Sequence, residues 1–124
     1  MSQPVVHFEI IGTDPDRLRD YYAALFGWDF ETGGPVAGQV SAPGRYGFTD
    51  SPGGGIPGGV GGGPGFAARV LFYVGVPDVA AAVVRAQSLG GTCRMGPDAV
   101  AGRDLVVAHV ADPEGNLIGL AGPA

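Results

Sequence analysis

The sequence predicts an α+β fold made of two βαβββ modules in tandem, forming a curved mixed sheet around a shared pocket. Three observations predict it. The order strand, helix, several strands occurs twice. The glycines that end the two helices, Gly27 and Gly90, lie 63 residues apart in a chain of 124. A shift of 62 residues also lays Phe8 on Val70, Ile10 on Phe72 and the turn at Asp50 on the turn at Asp112. Such a repeat means that each module buries its apolar face only with a neighbour, and two modules side by side enclose a pocket. The expectation is a single domain over 1–124, with modules of about 1–62 and 63–124 joined by a glycine-rich hinge at Gly61–Gly65.

The elements follow in order. Val5-Val6-His7-Phe8-Glu9-Ile10-Ile11 reads as a strand, rich in β-branched residues. Period two puts Val5, His7, Glu9 and Ile11 on one face and Val6, Phe8 and Ile10 on the other. The second face is wholly apolar and is expected on a core. Thr13 or Asp14 then caps a helix with Pro15 in its first turn. Leu18, Tyr21, Tyr22, Leu25 and Phe26 form one apolar stripe, expected to be core, and Gly27 stops the helix. Trp28–Glu31 alternates as a second strand, with further strands near Val36–Ser41, Arg45–Thr49 and Ile56–Val60.

Residues 53–65, GGGIPGGVGGGPG, hold nine glycines. Gly53, Gly55 and Gly58 match GxGxxG, but Pro57 interrupts the match and no helical pattern follows it. A strand with close-approach glycines and a flexible connector accounts for the stretch. Ala67–Val76 is a new strand. Pro77-Asp78 opens a second helix with Val79, Ala82, Val83, Ala86 and Leu89 on one stripe. Strands follow at Thr92–Met95, Arg103–Ala111 and Leu117–Ala121, the last two joined by the tight turn Asp112–Asn116.

Composition excludes several classes. Net charge is −5 and the pI about 4.6, which argues against nucleic acid and suits a small, even cationic, ligand. The single cysteine, Cys93, forms no internal disulfide and reads as a small buried hydrophobe. No apolar run is long enough for a membrane span, and Met1–Pro4 has no basic n-region of a signal peptide. The expected location is cytoplasmic.

The opening strand with His7, the helix end YYAALFGW (Tyr21–Trp28), the helix end LGG (Leu89–Gly91) and ADPEGNLIGL (Ala111–Leu120) resemble the vicinal oxygen chelate superfamily. Its members include glyoxalase I, extradiol dioxygenases and bleomycin resistance proteins, and the LFGW variety resembles the group called glyoxalase-like. The resemblance spans nearly the whole chain. It implies a small-molecule pocket and a homodimer. It also implies up to four metal ligands, one from the first and one from the last strand of each module. Here those positions hold His7, Arg69, Pro57 and Gly119. Arginine offers no lone pair, and glycine and proline offer no side-chain donor. His7 alone is of the family type, so no cofactor is expected. A divalent metal enters only through an unusual His7/Glu9/His109 set, with the orientation of His109 left open.

The pocket is then expected to have a polar lining of His7, Glu9, Arg69 and Tyr73; the plainer alternative is that Glu9 is only paired to Arg69, because buried charges need partners. Ile11, Leu71, Leu117 and Gly119 supply apolar wall, and Gly119 leaves room for a larger molecule. The leading reading is a metal-independent small-molecule binder resembling the bleomycin-type proteins. The alternative is an isomerase, lyase or dioxygenase-type enzyme on a small carbonyl or oxygenated compound, with His7 and Glu9 as acid/base pair.

Overall fold

A computed structural model of the chain describes residues 2–124. Among them are seven strands and two α-helices: β1 Val5–Gly12, α1 Pro15–Phe26, β2 Gly47–Thr49, β3 Gly58–Gly62, β4 Arg69–Gly75, α2 Val79–Ser88, β5 Thr92–Ala99, β6 Val106–Ala111 and β7 Leu117–Gly122. The α+β class and the twofold strand–helix–strands order are those expected. The chain divides into two compact units, one from His7 to Val70 and one joining the residues before His7 to Leu71–Ala124. No helix is long and apolar enough to cross a membrane.

In the first unit β3 lies between β1 and β2. It runs parallel to β1, with Glu9 opposite Gly59 and Ile11 opposite Gly61, and antiparallel to β2, with Phe48 opposite Gly59. Asp14 caps α1 by accepting a hydrogen bond from the Arg17 N–H (3.3 Å), Pro15 sits in the first turn, and Gly27 closes the helix at φ 72°. The core of the unit is Ile11, Ala37, Val40 and Val60, with Ser41 and Thr49 buried beside them. Ser41 Oγ accepts from the Gly62 N–H and donates to the Gly62 carbonyl, which satisfies a buried hydroxyl.

Several local expectations are corrected here. Trp28–Glu31 is no strand. It is reduced to one bridge, Glu31 with Phe48, because Trp28 turns onto Phe8, Tyr22 and Phe26 at ring separations of 5.1–5.7 Å. Val36–Ser41 folds as turns, the Val40 and Ser41 N–H groups both donating to the Ala37 carbonyl. The connector is shorter than expected, since Gly61 and Gly62 belong to β3. The α1 stripe is not core throughout: Tyr21, Leu25 and Phe26 are more than half exposed, and the aromatic residues pack largely on one another. On β1 the deepest burial is at Glu9 and Ile11, while the apolar face is half-buried against Trp28.

The second unit is also a mixed sheet. β7 is parallel to β4 and antiparallel to β6, and β5 pairs with β6. Asp78 caps α2 through the Ala81 N–H (3.0 Å), and Val79 and Val83 of that helix pack with Val76, Ala108, Val110 and Leu120. Full burial of each such side chain is worth roughly 1.5–3 kcal/mol. The turn between β6 and β7 is organised by Asp112, whose carboxylate accepts from the Glu114 N–H, the Asn116 N–H and Asn116 Nδ2, each at 2.9 Å. Gly115 takes φ 93° there, a conformation glycine adopts without strain. β5 extends to Ala99, past the expected end at Met95, and β6 begins only at Val106.

Candidate functional site

The central strand β3 has one side chain larger than hydrogen, Val60, in the run Gly58–Gly62. Gly59 and Gly61 share one face of it, and the ring of Tyr46 spans them. A Cβ added at Gly59 would fall inside the Tyr46 ring edge and hydroxyl, and one at Gly61 would stand 2.6 Å from Tyr46 Cδ2. The absent side chains let Tyr46 cross β3 and reach β1. There its hydroxyl donates to Glu9 Oε1 at 3.0 Å and lies 2.7 Å from His7 Nε2. Phe48 shares this face of β2 and stacks on the His7 ring at 5.9 Å and 17°. Phe8 on the opposite face lies over Gly58 in the same way.

Burial divides the labour within this cluster. Glu9 is 2 % exposed, whereas His7 and Tyr46 are half-buried. A carboxylate so deep needs charge-assisted hydrogen bonds, and the phenol supplies one. With Glu9 ionised, Tyr46 gives its proton to the carboxylate and its oxygen accepts from a protonated His7 Nε2. With Glu9 protonated, both hydrogen bonds reverse. The two arrangements differ by one proton moved along three groups whose heavy atoms stay in place.

The second unit repeats the device. Tyr73 on β4 and His109 on β6 both stand opposite Gly119 of β7. The Tyr73 ring covers Gly119, and its hydroxyl lies 2.7 Å from His109 Nε2. Tyr73 is 3 % and His109 1 % exposed, so this pair is buried. His109, whose direction the sequence left open, therefore points to the Tyr73 side of β6. The room expected above Gly119 is filled by that ring. Leu71 is buried and Leu117 half-buried.

Glu9 accepts a hydrogen bond from the Tyr46 hydroxyl. Arg69 instead lines a cleft of about 470 Å3 with Ile11, Asp14, Arg17, Leu18 and Tyr22. Counting back from the two helix caps, Asp14 and Asp78, the residue that matches His7 is Leu71 and not Arg69.

The residues do not fit the metal that the superfamily implies. Among the described residues no three His, Cys, Asp or Glu side chains come together in a metal-holding group. The last-strand position at Gly119 lies under a tyrosine ring, and Leu71 has no donor. Sequence reasoning missed Tyr46 and Phe48. Their alternation around Gly47, set against the alternation Gly59/Gly61, was the available signal, but reading it requires the register of β3 between β1 and β2.

Comparison with known proteins follows from this geometry. Curated proteins gave no match. Among solved structures, methylmalonyl-CoA epimerase from Mycobacterium tuberculosis aligns with TM-score 0.62 at 19% identity, covering 97% of this chain and 87% of its own. A hypothetical protein from Bacillus halodurans C-125 aligns with TM-score 0.68 at 13% identity, covering 100% and 96%. A glyoxalase/bleomycin resistance protein/dioxygenase superfamily member from Vibrio splendidus 12B01 aligns with TM-score 0.55 at 16% identity, covering 98% and 99%. At these identities the likeness is one of fold. A family model, the glyoxalase-like domain, matches residues 7–121, from the histidine of β1 to the penultimate residue of β7, and the chain therefore belongs to the glyoxalase-like family.

Proposed function

We propose that this protein binds a small carbonyl compound beside His7 and Phe48 and moves a proton on it without the metal set of its superfamily, as an isomerase or lyase does. The observation that carries the reading is the Tyr46 hydroxyl bridging His7 Nε2 and Glu9 Oε1. In the step proposed, the half-buried imidazole takes a proton from the carbon next to the carbonyl. The C–H electron pair moves onto the carbonyl oxygen, and the proton then returns to carbon. Glu9 is too deep to touch substrate and acts as a positioning residue through Tyr46. A bound group of this kind contributes about 10²–10⁴-fold when correctly placed. Two further points support the reading. Structural neighbours include methylmalonyl-CoA epimerases, one of them in complex with methylmalonyl-CoA. Phe48, which stacks on the His7 ring and is 36 % exposed, gives a small molecule an aromatic surface beside the imidazole. We also take the protein to be cytoplasmic and a homodimer; the exposed Tyr21, Leu25 and Phe26 of α1 offer apolar surface for the latter.

A second reading, binding without turnover, is favoured by the depth of Glu9, which fits a scaffold carboxylate as well as a relay. Deuterium exchange separates the two. Methylmalonyl-CoA and a panel of small ketones and α-substituted thioesters are incubated with protein in D2O and followed by NMR. Exchange at the α-carbon that disappears in His7→Ala establishes the enzyme. Ligand binding without exchange, unchanged in His7→Ala, establishes the binder.

A further inference from the structure

Arg69 is left without an explanation by the site around His7. Its Nε and Nη2 are buried and have no hydrogen-bond partner. A guanidinium N–H buried without an acceptor costs about 1–3 kcal/mol or more, so such a group calls for one. Arg19 is bonded to Asp16 and to the Arg45 carbonyl, and Arg45, whose Nε is also buried without a hydrogen bond, has the Asp16 carboxylate 3.6 Å away, a counter-charge that Arg69 lacks among the described residues. Arg69 is among the residues lining a cleft of about 470 Å3 whose other polar residues include a second guanidinium, Arg17, and the tyrosines Tyr21 and Tyr22. The only carboxylate on the cleft, Asp14, is engaged in capping α1. Thr13 adds a hydroxyl, and Ile10, Ile11, Leu18 and Val70 supply apolar wall.

Two of the chain's seven basic residues thus meet on one mostly apolar cleft of a protein whose net charge is −5. We infer that this cleft is a binding site for an amphiphilic carboxylate, its anionic head on Arg69 and Arg17 and its hydrocarbon body on Ile10, Leu18 and Val70. Guanidinium and carboxylate match as planar forks, and in an apolar surround their hydrogen bonds are strong. A turn of the Arg69 side chain toward the cleft gives the head nitrogens that the free protein keeps buried without an acceptor, while the body removes apolar wall from water. The site shares no lining residue with the His7–Tyr46–Glu9 cluster.

The test uses octanoate and, as its neutral counterpart, octanol. Calorimetric titration of the full chain is expected to show saturable octanoate binding and a rise in Tm, with octanol at least tenfold weaker, a factor worth about 1.4 kcal/mol. Arg69→Gln is expected to weaken octanoate about tenfold or more, and Arg69→Lys to restore part of the loss, because an ammonium keeps the charge and loses the fork. His7→Ala is expected to bind octanoate like the wild type. Should Arg69→Gln fail to fold, the exposed Arg17→Gln carries the test, with a loss of several-fold and a flatter salt dependence. Octanoate that does not bind, that binds no better than octanol, that binds Arg69→Gln as well as wild type, or that is lost in His7→Ala overturns the inference.

Discussion

The ring of Tyr46 occupies the space that a side chain at Gly59 would take. Tyr46 immediately precedes β2 and Gly59 lies on β3, and because the second is glycine the first can pass over it to Glu9. Gly59→Ala is therefore expected to destabilise the protein by about 1–3 kcal/mol, the usual cost of overpacking, and to detach Tyr46 from Glu9. Urea unfolding measures the first and the deuterium-exchange assay the second. Gly34→Ala, where a Cβ meets nothing within 4 Å, is the control and is expected to change stability by less than about 1 kcal/mol.

Removing only the hydroxyl separates the relay from the packing. Tyr46→Phe keeps the ring on β3 and deletes the bridge between His7 and Glu9. Its stability is expected to fall by about 1–3 kcal/mol, since a buried carboxylate loses a donor. Proton exchange on the substrate is expected to fall by about 10²-fold, with affinity little changed. A loss of affinity with exchange intact would mean that the hydroxyl touches ligand and relays nothing.

The buried pair of the second unit makes an independent prediction. Gly119→Ala drives a Cβ into the Tyr73 ring, for a cost of about 1–3 kcal/mol. Tyr73→Phe leaves His109 without that hydrogen bond and is expected to cost about 1–2 kcal/mol. A double-mutant cycle between Tyr73→Phe and His109→Ala is expected to show coupling, since the two atoms are 2.7 Å apart. Additive effects would place the contact outside the stability of the fold.

Asp112 predicts a pH dependence. The Asn116 side chain, first, and backbone N–H groups of the same turn hold its carboxyl below the usual value of 3.8. A carboxyl lowered on folding stabilises the protein above its unfolded-state pKa, and that contribution is lost as pH falls through the folded value. Asp112→Ala is thus expected to be less stable than wild type at neutral pH, and the gap to narrow as pH is taken below 3.8. Thermal unfolding of both proteins between pH 7 and pH 2.5 reads it. A gap that widens on acidification would contradict the sign.

What the sequence made legible was local. Asp14, Pro15 and Gly27 mark the ends of α1 where the structure has them, and Asp112–Asn116 is the turn its residues require. These signals act over three or four residues. The strand expected at Val36–Ser41 was misread because turn closure onto Ala37, and not apolar alternation, decides that segment. His7 and Glu9 were found together because they share one strand. Tyr46 was not, because its partners lie 39 and 37 positions away and only the pairing of β1, β3 and β2 brings them near. Arg69 was set opposite His7 by the 62-residue shift, whereas the helix caps Asp14 and Asp78, 64 residues apart, set Leu71 there.

The glycines of β3 have a further consequence, for the order in which the first unit assembles. Glycine gives up more backbone freedom than any other residue on being fixed, and β3 recovers little of that through side chains, with Val60 as its one apolar anchor. Its ordering rests on hydrogen bonds offered by a neighbour already in place. β2 is three residues long and pairs with β3, so it docks no earlier. In folding, Tyr46 therefore meets His7 and Glu9 late, and in the native state the same strands are the first to open. Amide exchange should be fastest, among the paired strands of this unit, at β2 and β3.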